Sequence, residues 1–411
     1  MRNGIVIVVE GVNTGLVGAY GNNTAVTPSL DRLAAHGLVL DQCFVDSLNP
    51  RKQLFSLWTG RHAVQDRDEP TWTMWKQLMT SGYEASLITD CPVAARVAEE
   101  LGCPRVIFVE VDKPDEAAQD WTECALTRVF IAAVEELSEP ESNRLVWIHS
   151  RGLRHAWDAP LDLREHFIDP EDPAPPSEAC VPAITITDDT DPDEIIGWAQ
   201  VAAAQVAVVD QGIDILMSAI DSRADADDWA CMVVSPGGVP LGEHGRVGWS
   251  IPETHGEEIN CVAIIQARVD QPIGSRRAEL CQLPDLVITF LDLLEIELPS
   301  TESIWGRSML QLGPFSAPSQ WPAEFQSACI FDDIEQPWIR TPAWSANGFT
   351  NKLPQLFVKP DDRWETSDVS SRRLDVVERL QQIATEFHKC ACVGKRQELP
   401  TLEDELCNLI R

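Results

Sequence analysis

The segment "VVSPGGVPLGEHG", Val233 to Gly245, holds the residue types that most invite a chemical reading. Glu243 and His244 stand between Gly242 and Gly245, a carboxylate and an imidazole presented on a polar loop, as metal binding or acid/base chemistry requires. The plain alternative is a loop held by hydrogen bonds to its own backbone. Just upstream, an apolar strand-like run, Cys231 to Val234, ends where a ligand-bearing loop would begin. That place is taken by Ser235-Pro236-Gly237-Gly238, with no side chain suited to holding a metal. Other clusters are weaker. His388, Cys390 and Cys392 form a C-x-C beside one His without a second paired set, so zinc is not expected there. Arg51-Lys52 could draw an anion, but a solvated loop pair explains them as well. "GVNTGLVGAYG" lacks G-x-G-x-x-G, and its helix starts only after Thr27, which excludes a dinucleotide fingerprint.

The elements that must position these residues are legible. "GIVIVVEGV", "ASLITD", "RLVWIHS", "ACMVVSP" and "CVAIIQA" are continuous apolar runs separated by helical patterns. That alternation predicts an α/β fold with a large, mostly parallel sheet covered by helices. Thr27 is expected to cap a helix with Pro28 at its first position and Gly37 beyond its end. A long helix is predicted over roughly Ile195 to Ile220. Residues 168–194 are rich in Pro and acidic residues and contain no Lys or Arg, which predicts a long surface excursion. The pattern changes after Gly313. Short strands and the amphipathic run "SSRRLDVVERLQQIATEFHKC" predict a small C-terminal α+β subdomain over 314–411, beside a main domain over 1–313. No internal repeat is visible.

Composition narrows the function. A formal net charge of −33 over 411 residues argues against nucleic acid or an anionic membrane as partner, since both demand clustered Lys and Arg. The acidity is better read as a solubility device. No unbroken apolar run approaches the roughly 18 residues of a membrane span. The N-terminus reads as a first strand rather than an export signal, so a cytoplasmic protein with its twelve cysteines reduced is expected.

Several segments together resemble the sulfatase branch of the alkaline phosphatase superfamily. They are "GLVGAYGNNTAVTPSLDRLAAHGLVLDQCFV" after the opening strand, "LFSLWTGRH", "GYEASLITD", "LGEHG", "CQLPDLVITFLDLLEIELP" and "FVKPDDRWETSDVSSR". They occur in order over nearly the whole chain and imply an alkaline-phosphatase-like sandwich. Sulfatase chemistry implies a carboxylate-bound divalent cation, usually calcium, a formylglycine nucleophile made from Cys or Ser, and Lys and His groups that bind sulfate and protonate the leaving group.

Carried over residue by residue, those positions fall on other types. The Asp-Asp pair that ends the first strand falls on Glu10 and Gly11. The nucleophile falls on Pro50 and its motif Arg on Leu54. The Lys-x-His pair falls on Asp90 and Pro92. The second metal-ligand loop falls on Ser235, Pro236, Gly237 and Gly238, and a later Lys falls on Trp249. Ser47 and Ser56 are the nearest hydroxyls to Pro50, and neither has Pro and Arg at the required offsets. His155, in "RHAWDAP", resembles a substrate-facing His of the family, against the reading of an ordinary structural His.

The resemblance therefore implies a degenerate relative without the family's calcium or any other cofactor, a pseudoenzyme with a binding or assembly role. The competing expectation is a sulfate or phosphate ester hydrolase with a site rebuilt around Glu10, Asp90, His155 and His244. A protein partner on the acidic loop 168–194, an active paralogue or self-association are open expectations.

Overall fold

The computed structural model describes residues 2–65, 69–138, 143–168, 171–249, 253–267, 274–299, 304–315, 317–332, 337–348 and 353–408. The predicted parallel strands are present. β1 (Asn3–Val9), β2 (Leu38–Leu40), β3 (Glu84–Thr89), β4 (Val106–Phe108), β5 (Arg144–Ser150), β6 (Trp229–Ser235), β7 (Val262–Ala267) and β8 (Ser275–Arg277) form one sheet. Its order is β8-β2-β7-β6-β1-β5-β3-β4. Only β7 runs antiparallel to its neighbours.

β1 lies in the middle and is buried along its whole length. Val6 and Val8 enter one core while Ile5, Ile7 and Val9 enter the other, which is why the strand reads as an unbroken apolar run. The first core includes Trp58, Trp75 and Trp147, with ring centroids 5.5 to 6.0 Å apart. Such tilted aromatic pairs add about 0.5–1.5 kcal/mol each beyond their buried area.

Helix α1 (Pro28–Ala35) starts at the predicted proline, but Thr27 does not cap it. Its hydroxyl instead accepts from the Gly18 amide at 2.9 Å. The free amides of Ser29 and Leu30 are taken by the Asp210 carboxylate at 2.8 to 3.0 Å. A cap supplied from a helix far along the chain cannot be read from local sequence. The other helices that frame the sheet are α2 (Pro50–Thr59), α3 (Pro92–Glu100), α4 (Ala125–Leu137), α5 (Pro192–Asp221) and α6 (Leu283–Leu293).

α5 is longer than predicted and, by length and composition, would suffice to cross a membrane. Gln200, Gln205, Asp210 and Asp214 interrupt its apolar run, and 67% of its most apolar window is buried inside the fold. Gly212 lets it lie against Phe130 of α4, where a Cβ would come within 2.2 Å of the ring. Part of the excursion 168–194 forms a short strand, Ala183–Thr185, paired antiparallel with Arg246–Gly248.

The C-terminal region forms a four-stranded antiparallel sheet, β9 (Ala328–Ile330), β10 (Trp338–Arg340), β11 (Trp344–Asn347) and β12 (Gln355–Val358). It shares a third core with α7 (Leu374–Val393). This core is sewn to the rest of the fold. His62 packs edge-on against Trp305 and Phe387 and bonds the Cys329 carbonyl at 3.2 Å. Burial pushes its pKa down to about 3, so it is neutral. Arg396 forms a buried ion pair with Asp285.

Candidate functional site

In parallel sheets, sites form beyond the carboxyl ends of the strands. Here β5, β1 and β6 are adjacent, with Val8 of β1 level with His149 and with Val234, so their ends open at one place. Glu10 leaves β1 there. Its amide donates to the Ser150 carbonyl at 3.0 Å, and its carbonyl accepts from Leu153 at 2.9 Å. Gly152 makes this clasp possible. It sits at φ +48°, and a Cβ would meet Val9 at 2.4 Å and the Glu10 carbonyl at 2.6 Å. The next turn carries Arg154 across the end of β1.

The Glu10 side chain is buried and doubly engaged. Oε1 pairs with His149 Nε2 at 2.8 Å and Oε2 with Arg154 Nη1 at 3.3 Å. Burial pushes the Glu10 carboxyl up; the His149 hydrogen bond and the Arg154 guanidinium more than offset it, leaving the group below its ordinary value. The same guanidinium donates through Nη2 to the Pro236 carbonyl at 3.3 Å and lies 4.4 Å from the centre of the Trp249 ring. One cation thus joins Glu10, Pro236 and Trp249, which lie on three separate segments.

The glycines predicted beside these residues are spatially required. At Gly11, φ +87°, a Cβ would stand 3.1 Å from Leu153 and 3.3 Å from the Arg154 side chain. At Gly237, φ +78°, it would meet the Glu258 carbonyl at 2.1 Å. At Gly238 it would lie 2.5 Å from Asn13 and 2.6 Å from the Glu257 carbonyl. The strand ends close further through Ser235, whose hydroxyl accepts from the Val12 amide at 2.9 Å, and through a bridge between Gly11 and Gly238.

The remaining predicted residues are held separately. Asp90 is buried and accepts from the Arg151 amide at 2.9 Å and from its Nε at 3.4 Å. Pro92 opens α3, and Pro50 opens α2 behind the cap Asn49, whose side chain accepts from Arg51. Leu54 is buried in the core. Arg51 and Lys52 reach Glu100 at 3.0 Å and Asp332 at 3.2 Å. His155 is half-buried with Nε2 on the Asp112 carbonyl at 3.2 Å, and burial lowers its pKa. Glu243 turns back to accept from the Leu241 amide of its own loop. His244 bonds Glu257 at 2.8 Å, which raises its pKa, and stacks on His255 at 3.7 Å. His388 approaches Cys392 at 3.5 Å on an exposed face of α7.

Sequence reasoning missed His149, Arg154 and Cys91. Glu10, Cys91 and His149 bring O, S and N donors within 4.8 Å of one another and are the one buried set of this kind among the described residues. The Nδ1 of His149 has no hydrogen-bond partner among them. Burial, with the Glu10 charge adding to it, pushes the Cys91 thiol up to about 11. "RGLRHAWDAP" carried a signal for Arg154, a cation one residue before the His singled out, but not where it reaches.

The family model described as Sulfatase matches residues 2–296. No curated protein sequence matches the chain. Among solved structures, the phosphonate monoester hydrolase of Agrobacterium radiobacter superposes with a TM-score of 0.75 at 14% identity, over 94% of this chain and 96% of that one. The phosphonate monoester hydrolase of Silicibacter pomeroyi gives 0.72 at 14% identity, over 99% of each chain. A protein solved with its substrate, D-glucosamine-2-N,6-O-disulfate, gives 0.72 at 17% identity, over 97% of this chain and 100% of that one. At such identities the likeness establishes the fold.

Proposed function

The chain belongs to the sulfatase family, and from that premise we propose that it has left metal-dependent ester hydrolysis and serves a binding or assembly role. The observation that carries this reading is the Arg154 guanidinium lodged between Glu10 and the Pro236 carbonyl, over Trp249. A calcium ion asks for six to eight oxygens, several of them fixed carboxylates. The ends of β1 and β6 offer one carboxylate, Glu10, already paired on both oxygens; Asp90 at the end of β3 is held by Arg151, and Pro236 and Gly237 offer no side-chain donor. Nor can a ligand be added at Gly237 without moving the Glu258 backbone. These residues do not fit the family's cation, and Arg154 supplies the positive charge that Glu10 needs. At the position assigned to the nucleophile, Pro50 has no group that could be oxidised to an aldehyde.

One observation favours a second reading, a sulfuric or phosphoric ester hydrolase with a rebuilt site. Cys91, His149 and Glu10 bring a thiol, an imidazole and a carboxylate within 4.8 Å of one another, the residue types of a nucleophile, a base and its orienting group. Burial weighs against it, since a thiol titrating near 11 is protonated at neutral pH.

The test is turnover of 4-nitrophenyl sulfate and of a phosphonate monoester, with and without calcium, together with mass spectrometry of the peptide from Asp46 to Arg61. Background rates and an unmodified peptide are expected. Turnover abolished by Cys91→Ala, Asp90→Asn or His155→Ala would establish the rebuilt site and end the first reading.

A further inference from the structure

Between the main sheet and the C-terminal sheet lies a cavity of about 490 Å³, within the roughly 300–1,000 Å³ of small-molecule sites. It is lined by none of the positions onto which the family's metal, nucleophile and acid/base groups were carried. Its charge runs against the rest of the chain. In a protein of net charge −33, this wall carries Arg276, Arg340, Lys359 and Arg363 against only Asp41 and Glu365. Both carboxylates are already engaged: Arg276 Nε bonds Asp41 at 3.0 Å and Lys359 bonds Glu365 at 3.1 Å.

Two cations remain without a carboxylate partner among the described residues. Arg340 is buried at the end of β10, where its guanidinium donates only to neutral oxygens, the Gln42 side chain at 2.7 Å and the backbone carbonyls of Thr341 and Trp344. Burial pushes its pKa down to about 9, although the Glu365 charge opposes the shift. Arg363 is exposed at the rim and reaches the Tyr20 carbonyl at 3.3 Å. Between them the wall is aromatic, with Phe44 and Trp338 packed at 5.1 Å, and Trp321 and Tyr20 alongside. Unmatched guanidinium groups over flat apolar faces accept a planar or ring-shaped body bearing an anionic oxygen group.

We propose that this cavity binds a small ring-bearing organic carboxylate or sulfonate, with Arg340 and Arg363 on the charged group and the aromatic wall on the ring. The cavity is lined by none of Glu10, Arg154, Pro236 and Trp249, so the proposal stands whether or not the chain hydrolyses esters. A binding assay tests it, and its failure leaves the turnover result untouched.

The full-length chain would be titrated calorimetrically with 4-nitrobenzenesulfonate, 4-nitrobenzoate, neutral 4-nitrobenzamide and inorganic sulfate. At least one ring anion should bind with submillimolar affinity, about tenfold or more tighter than the amide and sulfate, and weaken as salt rises. Arg363→Gln should lower that affinity about tenfold or more, the loss expected of one charge-assisted contact. Arg340→Gln should lower it further. If that buried substitution fails to fold, Arg363→Gln alone decides. The proposal is overturned if no ring anion binds at about 10 mM, if the amide or bare sulfate binds as tightly, or if Arg363→Gln binds unchanged.

Discussion

Arg154→Met isolates the claim that an internal guanidinium holds the centre of this fold together. Methionine keeps the length of the stem over Trp249 but removes the charge. Glu10, 5% exposed, then keeps only His149 as a partner, and the Pro236 carbonyl loses a donor. Breaking a buried ion pair from one side costs about 3–5 kcal/mol. With an unfolding entropy of about 2.1 cal/mol/K per residue, a loss near 3 kcal/mol lowers the melting temperature of this chain by roughly 3–4 °C. The effect should depend on pH. Glu10 is held below its ordinary value in the native protein, so its stabilising contribution is present above the unfolded-state carboxylate pKa and is lost as pH falls through the native one. Without Arg154, burial should raise the carboxyl instead, and protonation at low pH relieves the penalty. The gap between wild type and variant should therefore be widest near pH 7, and narrow as pH falls from the variant's raised carboxyl pKa to the lowered one of the wild type. Urea denaturation from about pH 4 to pH 8 measures it. A gap under about 0.5 kcal/mol at pH 7, or one that does not narrow in acid, refutes the pairing. Millimolar calcium should not restore the melting temperature of the variant. If it does, Arg154 plugs a working cation site and the non-catalytic reading fails.

The glycine positions and the buried His62 supply further expectations. Gly237→Asp, which returns a carboxylate to the second loop, should destabilise by about 2 kcal/mol or more, because a side chain there needs both a strained φ and displacement of the Glu258 carbonyl; chemical denaturation reads this, and an unchanged midpoint would contradict the described packing. Neither it nor Pro50→Cys, made singly, should raise 4-nitrophenyl sulfate turnover above background, since groups that act as a unit give little when one is restored. His62 binds no proton in the native state until about pH 3 but binds one unfolded near pH 6.5, so its contribution to stability falls by about 1.4 kcal/mol per pH unit below 6.5. Asp46, raised to about 7 mainly by burial, has the opposite slope between roughly pH 4 and 7 and masks it in the wild type. Subtracting the profile of His62→Gln from that of the wild type isolates the slope, and a flat difference would show that His62 is not buried neutral.

The parallel core was legible because its strands are buried on both faces and write that burial as unbroken apolar runs, as in Ile5 to Val9. Helix starts with Pro28, Pro50 and Pro92 at the first turn were legible for an equally local reason. The cap of α1 was not, because Asp210 lies some 180 residues away on another helix. Helix α5 was legible from its apolar residues at helical spacing, but not the partners of its buried polar groups, since Asp210 bonds α1 and Gln205 the Ala159 amide.

At the candidate site, the resemblance led to Glu10, Gly11, Pro236, Gly237 and Trp249 one by one, each as a replaced position. What could not be read was that all five answer to one side chain. Arg154 touches Glu10 and Pro236 and lies over Trp249, and it passes within van der Waals reach of the space beside Gly11 and Gly237. The Arg154 stem, with Leu153, crowds any side chain at residue 11, and its guanidinium gives the carbonyl at 236 a donor and the tryptophan at 249 a cation to cover. The replacements form one packing solution around a fixed charge, and a fixed charge has no motif. Its signature is a buried carboxylate, a carbonyl and an aromatic face converging from three loops, a pattern that exists only once the chain is folded. Glu10 must be neutralised wherever β1 is buried, and Arg154 does so without depending on any ion from outside.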